Sequence, residues 1–162
     1  MQIKEVFSPP EIIAVQKLAY EIWNEYYPPI IGQDQVDYML DSFQDAKSIL
    51  KQINEGYLYF LLIQEEQEVG YFAIQKQGSA LFMSKFYLHK DSRRQGHARQ
   101  ALNYIKDYAQ DKGLKRILLT VNIHNETAIK SYERLGFIKT GELVQDIGEG
   151  YKMDDYTYEL QC

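Results

Sequence analysis

The sequence predicts a mixed α/β fold, in which a mostly antiparallel sheet carries helices on both faces. Before residue 56, three amphipathic segments repeat apolar residues at helical spacing. Three strand-like segments then follow one another at residues 57–63, 69–75 and 80–88, with short polar connections typical of hairpins. A doubly wound nucleotide fold would alternate strand and helix from the start, so the three consecutive strands argue against it.

The first part of the chain combines a short strand with three capped helices. Residues 2–7 are predicted to form the strand, and residues 8–11 match a capping box with proline at the first helical position. The proline pair at 28–29 is expected to end that first helix, because proline disfavours helix at the residue before it. Asp34 and Asp45 are predicted to cap the second and third helices.

The last part of the chain is predicted to alternate helix and strand. A helix should run from residue 98 to about 112, with Gly113 closing it, and a strand should occupy residues 115–121. Asn125 is expected to cap the next helix, and Gly136 to end it in the left-handed conformation. Two final strands are predicted over residues 137–144 and 156–160. No linker or repeat interrupts this order, so one domain over residues 1–162 is expected.

Composition excludes several classes of protein. The net charge of −5 argues against a nucleic-acid-binding protein and favours cationic small partners. Cys162 is the only cysteine, so neither an intramolecular disulfide nor a thiolate metal cluster is expected. The three histidines show no metal-ligand spacing, and no apolar run is long enough to cross a membrane. The N-terminus lacks a secretion signal pattern, so we expect a cytoplasmic protein without a metal, a nucleic-acid partner or a membrane anchor.

Two motifs carry the functional prediction. The first, R-x-x-G-x-A at residues 93–98, lies between a predicted strand and a helix start, where free backbone N–H groups bind anions. The second is N-x-x-A-x-x-x-Y-x-x-x-G-F at residues 125–137. Together, in this order and at this distance, they resemble the GNAT N-acetyltransferases. The resemblance is specific over residues 80–137.

The resemblance implies the cofactor and the residues that bind it. It implies acetyl-CoA, whose pantetheine arm enters a gap where the strand before the first motif and the strand after the next helix splay apart. The pyrophosphate is expected on backbone N–H groups of residues 94–99, with Arg93 at the family's Gln/Arg position. A backbone N–H near Phe86 or Tyr87 is the expected oxyanion donor. The implied cofactor-binding residues are Phe86, Tyr87, Leu88, Arg93, Arg94, Gln95, Gly96, His97, Ala98, Arg99, Asn125 and Ala128.

The resemblance also implies catalytic and acceptor residues. Tyr132 matches the tyrosine that protonates the leaving thiolate, which suits a phenol of comparable basicity; positioning of the sulfur alone is the alternative. Family members that carry a glutamate base on the strand before the first motif have it where this chain has Phe82 and Ser84, so a direct carboxylate base is not identified. Deprotonation through ordered water then remains, beside the expected acceptor-binding residues Glu25, Tyr26 and Tyr27.

The acceptor stays open at the level of sequence. It is expected to be a primary amine on a small molecule, polyamine-like, or on a peptide, and a homodimer is left open. The acidic stretch with Glu142, Asp146, Glu149, Asp154 and Asp155 would attract a cation, although a solvated hairpin explains it as well. An acyl-CoA-binding sensor without turnover is the alternative function.

Overall fold

The structure is a computed structural model that describes residues 1–162, apart from the side chain of Lys85. In chain order the elements are β1 (Gln2–Glu5), α1 (Pro9–Tyr26), α2 (Pro28–Ile31), α3 (Gln33–Phe43), α4 (Ala46–Asn54), β2 (Leu58–Gln64), β3 (Gln67–Gln77), β4 (Ala80–Leu88), a 3₁₀ turn (Lys90–Ser92), α5 (His97–Asp111), β5 (Arg116–Asn122), α6 (Glu126–Arg134), β6 (Ile138–Gly148) and β7 (Tyr151–Gln161). This mixed arrangement confirms the predicted fold class.

The first of two compact units comprises residues 1–75 and 84–101. Its strands follow the order β1-β2-β3-β4, with the last part of β4 contributing. Strand β1 pairs antiparallel with β2, and β2 pairs antiparallel with β3. Apolar side chains of α1, such as Val15 and Ala19, are fully buried, as are Leu62 and Phe72 of the sheet. Burial of one helix stripe is what the helical spacing predicts.

The second unit comprises residues 76–83 and 102–162. Its strands follow the order β4-β5-β7-β6, with the first part of β4 contributing. The described ladder joins β4 to β5 in parallel through three residues of each strand, Ala80–Phe82 with Arg116–Leu118. Strand β7 lies between β5 and β6 and is antiparallel to both. Alternate residues of β5, Ile117, Leu119 and Val121, are buried.

Local sequence signals located several helix starts correctly. The capping box is present, since Ser8 accepts from the Glu11 N–H while the Glu11 side chain accepts from the Ser8 N–H. Asp45 caps α4 as predicted, accepting from the Ser48 N–H at 2.8 Å. The prediction for Asp34 is wrong, because Gly32, with φ of +86°, is the N-cap residue and α3 already starts at Gln33.

The C-terminal hairpin is longer than predicted. Strand β6 extends to Gly148 and β7 begins at Tyr151, so the strand pair continues well beyond the predicted ends. The connection turns at Glu149 and Gly150, both at positive φ. Polar residues dominate this stretch, and cross-strand pairing rather than apolar alternation makes it a hairpin. The single domain expected from the sequence stays a prediction.

Candidate cofactor and acceptor site

The loop that carries the first motif, in the first unit, ends in a left-handed turn. After the 3₁₀ turn, Arg94 and Gly96 adopt φ of +64° and +81°, and α5 starts at the next residue. The Gly96 carbonyl accepts the Gln100 N–H at 3.1 Å. The N–H groups of residues 97–99 therefore precede the first intrahelical donor. Such a concave run of amides at a helix start is suited to binding an anion.

Open space surrounds the glycine of this turn. A Cβ built on Gly96 would meet no atom within 4 Å of it, apart from its chain neighbours. The positive φ, however, favours glycine over residues that carry a side chain. The backbone at Gly96 is thus open to a bulky group, and the residue is constrained by conformation rather than by packing.

Arg93 connects this loop to the end of α1. Its Nη2 lies 2.8 Å from Glu25 Oε1, and its Nε donates to the Leu88 carbonyl at 3.1 Å. The guanidinium also lies 5.0 Å from the centre of the Tyr26 ring. Arg93, which is predicted to contact the cofactor, is therefore held by Glu25 and Tyr26, which are predicted to bind the acceptor. The cofactor-binding role of Arg93 stays a prediction.

The predicted acceptor residues also join an aromatic cluster. The Tyr27 hydroxyl donates to the Tyr87 hydroxyl at 3.2 Å, and the Tyr26 ring stands edge-on to Tyr27 with centroids 5.2 Å apart. The Tyr87 ring lies 5.4 Å from Trp23 and 5.5 Å from Tyr71. In the first unit, the structure thus brings Glu25, Tyr26 and Tyr27 together with Tyr87 and Arg93.

Buried polar contacts stabilise the aromatic cluster through Tyr71. The Tyr71 hydroxyl donates to Gln44 Oε1 at 2.7 Å, and the Gln44 amide donates to the Tyr59 hydroxyl at 3.3 Å. Burial raises the pKa of Tyr71 well above its ordinary value. A Cβ on Gly70 would overlap the Tyr87 carbonyl oxygen, so glycine is what permits β3 to approach β4 this closely. These contacts fix the strand segment that carries Tyr87.

The other residues predicted to contact the cofactor from the first unit differ in exposure. Arg94, Gln95 and Arg99 are exposed, and the Gln95 amide donates to the Asp91 carbonyl at 2.9 Å. His97 is only 6% exposed, and neither of its ring nitrogens has a hydrogen-bond partner among the described residues. The remaining three, Phe86, Leu88 and Ala98, are partly or fully buried. The Phe86 ring lies 6.5 Å from that of Phe72.

The second motif builds helix α6 of the second unit. Asn125, 4% exposed, caps the helix by accepting the Ala128 N–H at 3.3 Å, as predicted from the sequence. Tyr132 lies further along the helix and is half-buried, with its ring centre 5.7 Å from that of Phe137 in an edge-on arrangement. The Tyr158 hydroxyl of β7 donates to Glu133 at 3.0 Å, and this bond fixes α6 against the strand.

Sequence reasoning missed the environment of Asp155. The interpretation as part of a solvated hairpin is wrong for this residue, which is 1% exposed, and its Oδ1 has no hydrogen-bond partner within the described residues. Burial, with a contribution from Asp154, raises the pKa of Asp155 to about 6. The predicted strand began at residue 156, one position too late to include Asp155. The alternation of Tyr151 and Met153, which share a strand face with Asp155, would have been the available signal.

Two features of the described residues bear on the class of site. No group of His, Cys, Asp and Glu side chains among them is arranged to hold a metal ion. No helix among them combines the length and apolar character that crossing a membrane requires.

Comparison with known proteins gives a consistent result. A family model described as the acetyltransferase (GNAT) family matches residues 17–137. The uncharacterized N-acetyltransferase YycN of Bacillus subtilis (strain 168) is 33% identical over 88 residues, which cover 52% of this chain and 56% of that protein. N-acetyltransferase 8 of Homo sapiens is 28% identical over 143 residues, which cover 85% of this chain and 59% of that protein. The matches thus span little more than half of these relatives' lengths.

A solved structure has a similar fold. The crystal structure of PaiA N-acetyltransferase from Thermoplasma acidophilum in complex with coenzyme A matches with a TM-score of 0.79 and 16% identity. The match covers 100% of both chains. At this level of identity the likeness concerns the fold.

Proposed function

Since the chain belongs to the acetyltransferase (GNAT) family, we propose that it transfers an acetyl group from acetyl-CoA to a primary amine of a small molecule or peptide. The observation that carries the proposal is the left-handed turn at Arg94 and Gly96, which leaves the N–H groups of residues 97–99 available to an anion. The relative from Thermoplasma acidophilum was crystallised with coenzyme A, which supports the same cofactor for this chain.

The proposed cofactor contacts use mainly the backbone. Amides of residues 94–99 bind the pyrophosphate, and the backbone of residues 86–88 pairs with the pantetheine amides. Asn125 and Ala128 contact the pantetheine portion from α6. Bound acetyl-CoA supplies a thioester, an acyl group activated toward amines. Backbone contacts of this kind depend on chain conformation, so they tolerate His97 and the exposed Gln95.

Tyr132 is the proposed general acid. Its ring is half-buried and stands edge-on to Phe137, which supports a fixed orientation of the side chain. A phenol with a pKa of about 10 donates readily to a thiolate of comparable basicity. The proton leaves the Tyr132 oxygen as the carbon–sulfur bond breaks, which avoids release of a free thiolate.

The aromatic cluster is the proposed wall for the acceptor. The guanidinium of Arg93 lies over the Tyr26 ring, which supports the proposal that ring surfaces of this cluster bind cations. Glu25 adds a carboxylate on the same side of the cluster. An acceptor that carries a further positive charge beside its reactive amine suits these groups, and a polyamine-like molecule is our preferred class.

Binding of acetyl-CoA tests the loop directly. Gly96→Val and the matched control Gly78→Val both place a side chain at a glycine with positive φ and open surroundings. Calorimetry should show at least a tenfold weaker affinity, about 1.4 kcal/mol, for Gly96→Val alone. Equal affinities for two folded variants would remove the loop from the binding site.

Steady-state kinetics on an amine panel test the reaction. Tyr132→Phe should lower kcat by about 10²–10⁴-fold, the usual contribution of a positioned acid, with an unchanged dissociation constant for acetyl-CoA. Tyr20→Phe, at a tyrosine that is 65% exposed, is the control. A wild-type protein that binds acetyl-CoA yet acetylates no amine would favour the sensor function instead.

A further inference from the structure

The side chain of Arg93 connects separate segments of the first unit. Its Nη2 lies 2.8 Å from Oε1 of Glu25, which belongs to the last turn of α1. Its Nε donates to the carbonyl of Leu88, the last residue of β4, at 3.1 Å. The guanidinium carbon lies 5.0 Å from the centre of the Tyr26 ring. One side chain of the loop therefore contacts both the end of the strand and the end of the helix.

The planar guanidinium makes this connection directional. Its N–H donors form a rigid fork, so partners on Nε and Nη2 fix the plane of the group as well as its position. The Glu25 carboxylate and the Tyr26 ring are thereby oriented relative to the Leu88 carbonyl. Lysine carries the same charge but has neither the fork nor the flat face, so it does not reproduce these contacts together.

The ion pair orients these groups more than it stabilises the fold. The side chains of Arg93 and Glu25 are 32% and 36% exposed, and ion pairs with this exposure contribute little to folding. Loss of the pair should therefore leave a folded protein in which the Glu25 carboxylate and the Tyr26 ring are less well oriented. A variant of Arg93 then reports on orientation rather than on unfolding.

Tyr27 is held through contacts that do not involve Arg93. Its hydroxyl donates to the Tyr87 hydroxyl at 3.2 Å, and the two ring centres lie 6.0 Å apart. The proposed acceptor wall, which comprises Glu25, Tyr26 and Tyr27, thus has two attachments to β4 and the loop that follows it. The aromatic attachment holds Tyr27, and Arg93 holds the other two residues.

The same contacts distinguish Arg93 from the other arginines of the loop. Arg94 and Arg99 are exposed. The guanidinium of Arg93 is already paired with Glu25, and a move toward a bound pyrophosphate would break this ion pair. The contacts of Arg93 therefore favour a function on the acceptor side of the loop.

We propose that Arg93 is a positioning residue for the acceptor, an inference that rests on the proposed acetyl transfer. One oxygen of Glu25 is bonded to Arg93, and the other receives the second positive charge of a diamine or polyamine. A carboxylate accepts hydrogen bonds at both oxygens, so the same group serves both partners. Because Arg93 is also bonded to the Leu88 carbonyl, the position of the charge-binding oxygen relative to the end of β4 is fixed. The arrangement selects acceptors by the spacing between the reactive amine and the second charge.

The test is binding of amines to the CoA-bound protein, measured by calorimetry. It uses the most active diamine of the panel and the monoamine of the same chain length. In Arg93→Ala the dissociation constant of the diamine should rise by about tenfold or more, as expected for loss of a hydrogen bond to a charged group. That of the monoamine should stay within about threefold of wild type, and that of acetyl-CoA within about twofold. Arg93→Lys keeps the charge, yet its diamine dissociation constant should still rise by about threefold or more.

Arg116→Ala is the matched control. Its Nη1 lies 3.4 Å from Glu159 Oε2, with side chains 43% and 19% exposed, so this variant also breaks a partly exposed ion pair. It should leave the dissociation constants of both amines at their wild-type values.

Two further measurements separate positioning from a general structural effect. The double variant of Arg93→Ala and Glu25→Gln should bind the diamine no more weakly than the weaker single variant, because both changes remove the same arrangement. Methylguanidinium added to Arg93→Ala should restore part of the diamine affinity, because it replaces the missing group. A general change of structure would not be restored in this way.

The possible failures are distinguishable. A wild-type protein that acetylates no amine would refute the proposed function, and this inference with it. An active protein that acetylates monoamines but no diamine would refute the inference alone, as would unchanged or tighter diamine binding in Arg93→Ala. Equal losses for the diamine and the monoamine would show a structural role. A weakening of acetyl-CoA binding as large as that of diamine binding would identify Arg93 as a cofactor ligand instead. If Arg93→Ala does not fold, wild-type diamine affinity in Arg93→Lys overturns the inference.

Discussion

Replacing Asp155 by asparagine should stabilise the folded protein relative to wild type to an extent that increases as pH rises from acidic to neutral. The carboxylate is buried with an unpartnered Oδ1, and its pKa is about 6 in the folded state against an ordinary value of 3.8. The folded protein therefore binds this proton more tightly than the unfolded chain. Stability from this group is fully present below about pH 4 and is lost as pH rises through 6. Asparagine has a similar shape and no charge to bury.

The magnitude follows from the pKa difference. A shift of about two units corresponds to at most about 3 kcal/mol of unfolding free energy, since each unit contributes 1.36 kcal/mol. The unfolding free energy of Asp155→Asn minus that of wild type should therefore increase by up to about 3 kcal/mol between pH 4 and pH 7. The prediction concerns how this difference in unfolding free energy changes with pH, not its value at any one pH. A buried amide has its own need for hydrogen-bond partners, which shifts that value.

Urea unfolding at closely spaced pH values measures this difference. Asp154→Asn is the control, because it keeps the burial that mainly raises the pKa of Asp155 and removes only the contribution of the neighbouring charge. We expect the control to show the wild-type dependence, displaced slightly toward lower pH. A wild-type minus Asp155→Asn difference that does not vary between pH 4 and pH 7 would refute the reasoning.

Three other predictions concern the support of the site. Arg93→Ala and Glu25→Gln should each lower the unfolding free energy by about 1 kcal/mol or less, because partly exposed ion pairs contribute little. The double variant should lose no more than the sum of the two, and urea unfolding of wild type and the three variants measures this. Gly70→Ala should cost about 1–3 kcal/mol by thermal or urea unfolding because its Cβ meets the neighbouring strand's backbone, whereas Gly141→Ala, at 3.4 Å from the nearest atom, should cost less. Ser8→Ala should cost about 1 kcal/mol in thermal unfolding, and a neutral result would mean that the cap is redundant.

Features encoded by neighbouring residues were predictable from the sequence. The capping box at Ser8 and the caps at Asp45 and Asn125 each depend on a side chain that reaches a backbone N–H three residues on. Because donor and acceptor lie within one turn, the residue pattern contains the whole interaction. The prediction for Asp34 failed because the helix starts after Gly32 through a backbone conformation, which a pattern of capping side chains does not record.

Features that depend on distant contacts were not predictable. Arg93 pairs with Glu25, which lies near the end of α1 and is distant in sequence. No spacing rule connects two such residues. The burial of Asp155 depends on its register opposite Asn122, and this follows from where β7 begins. A polar hairpin gives a weak strand signal, so the sequence suggested solvent for a carboxylate that the fold buries.

The ion pair of Arg93 changes which groups are available for a bound pyrophosphate. A guanidinium that already contacts Glu25, the Leu88 carbonyl and the Tyr26 ring has little charge left uncompensated. The exposed Arg94 and Arg99 remain, and salt screens exposed charges over about 8 Å at physiological ionic strength. Fixed amide groups of the turn are oriented by the backbone and need no side-chain ordering, so they are the more effective part of the proposed anion site. In this proposal Arg93 serves mainly as the connection between that loop and the proposed acceptor wall, and this role depends on its geometry as much as on its charge.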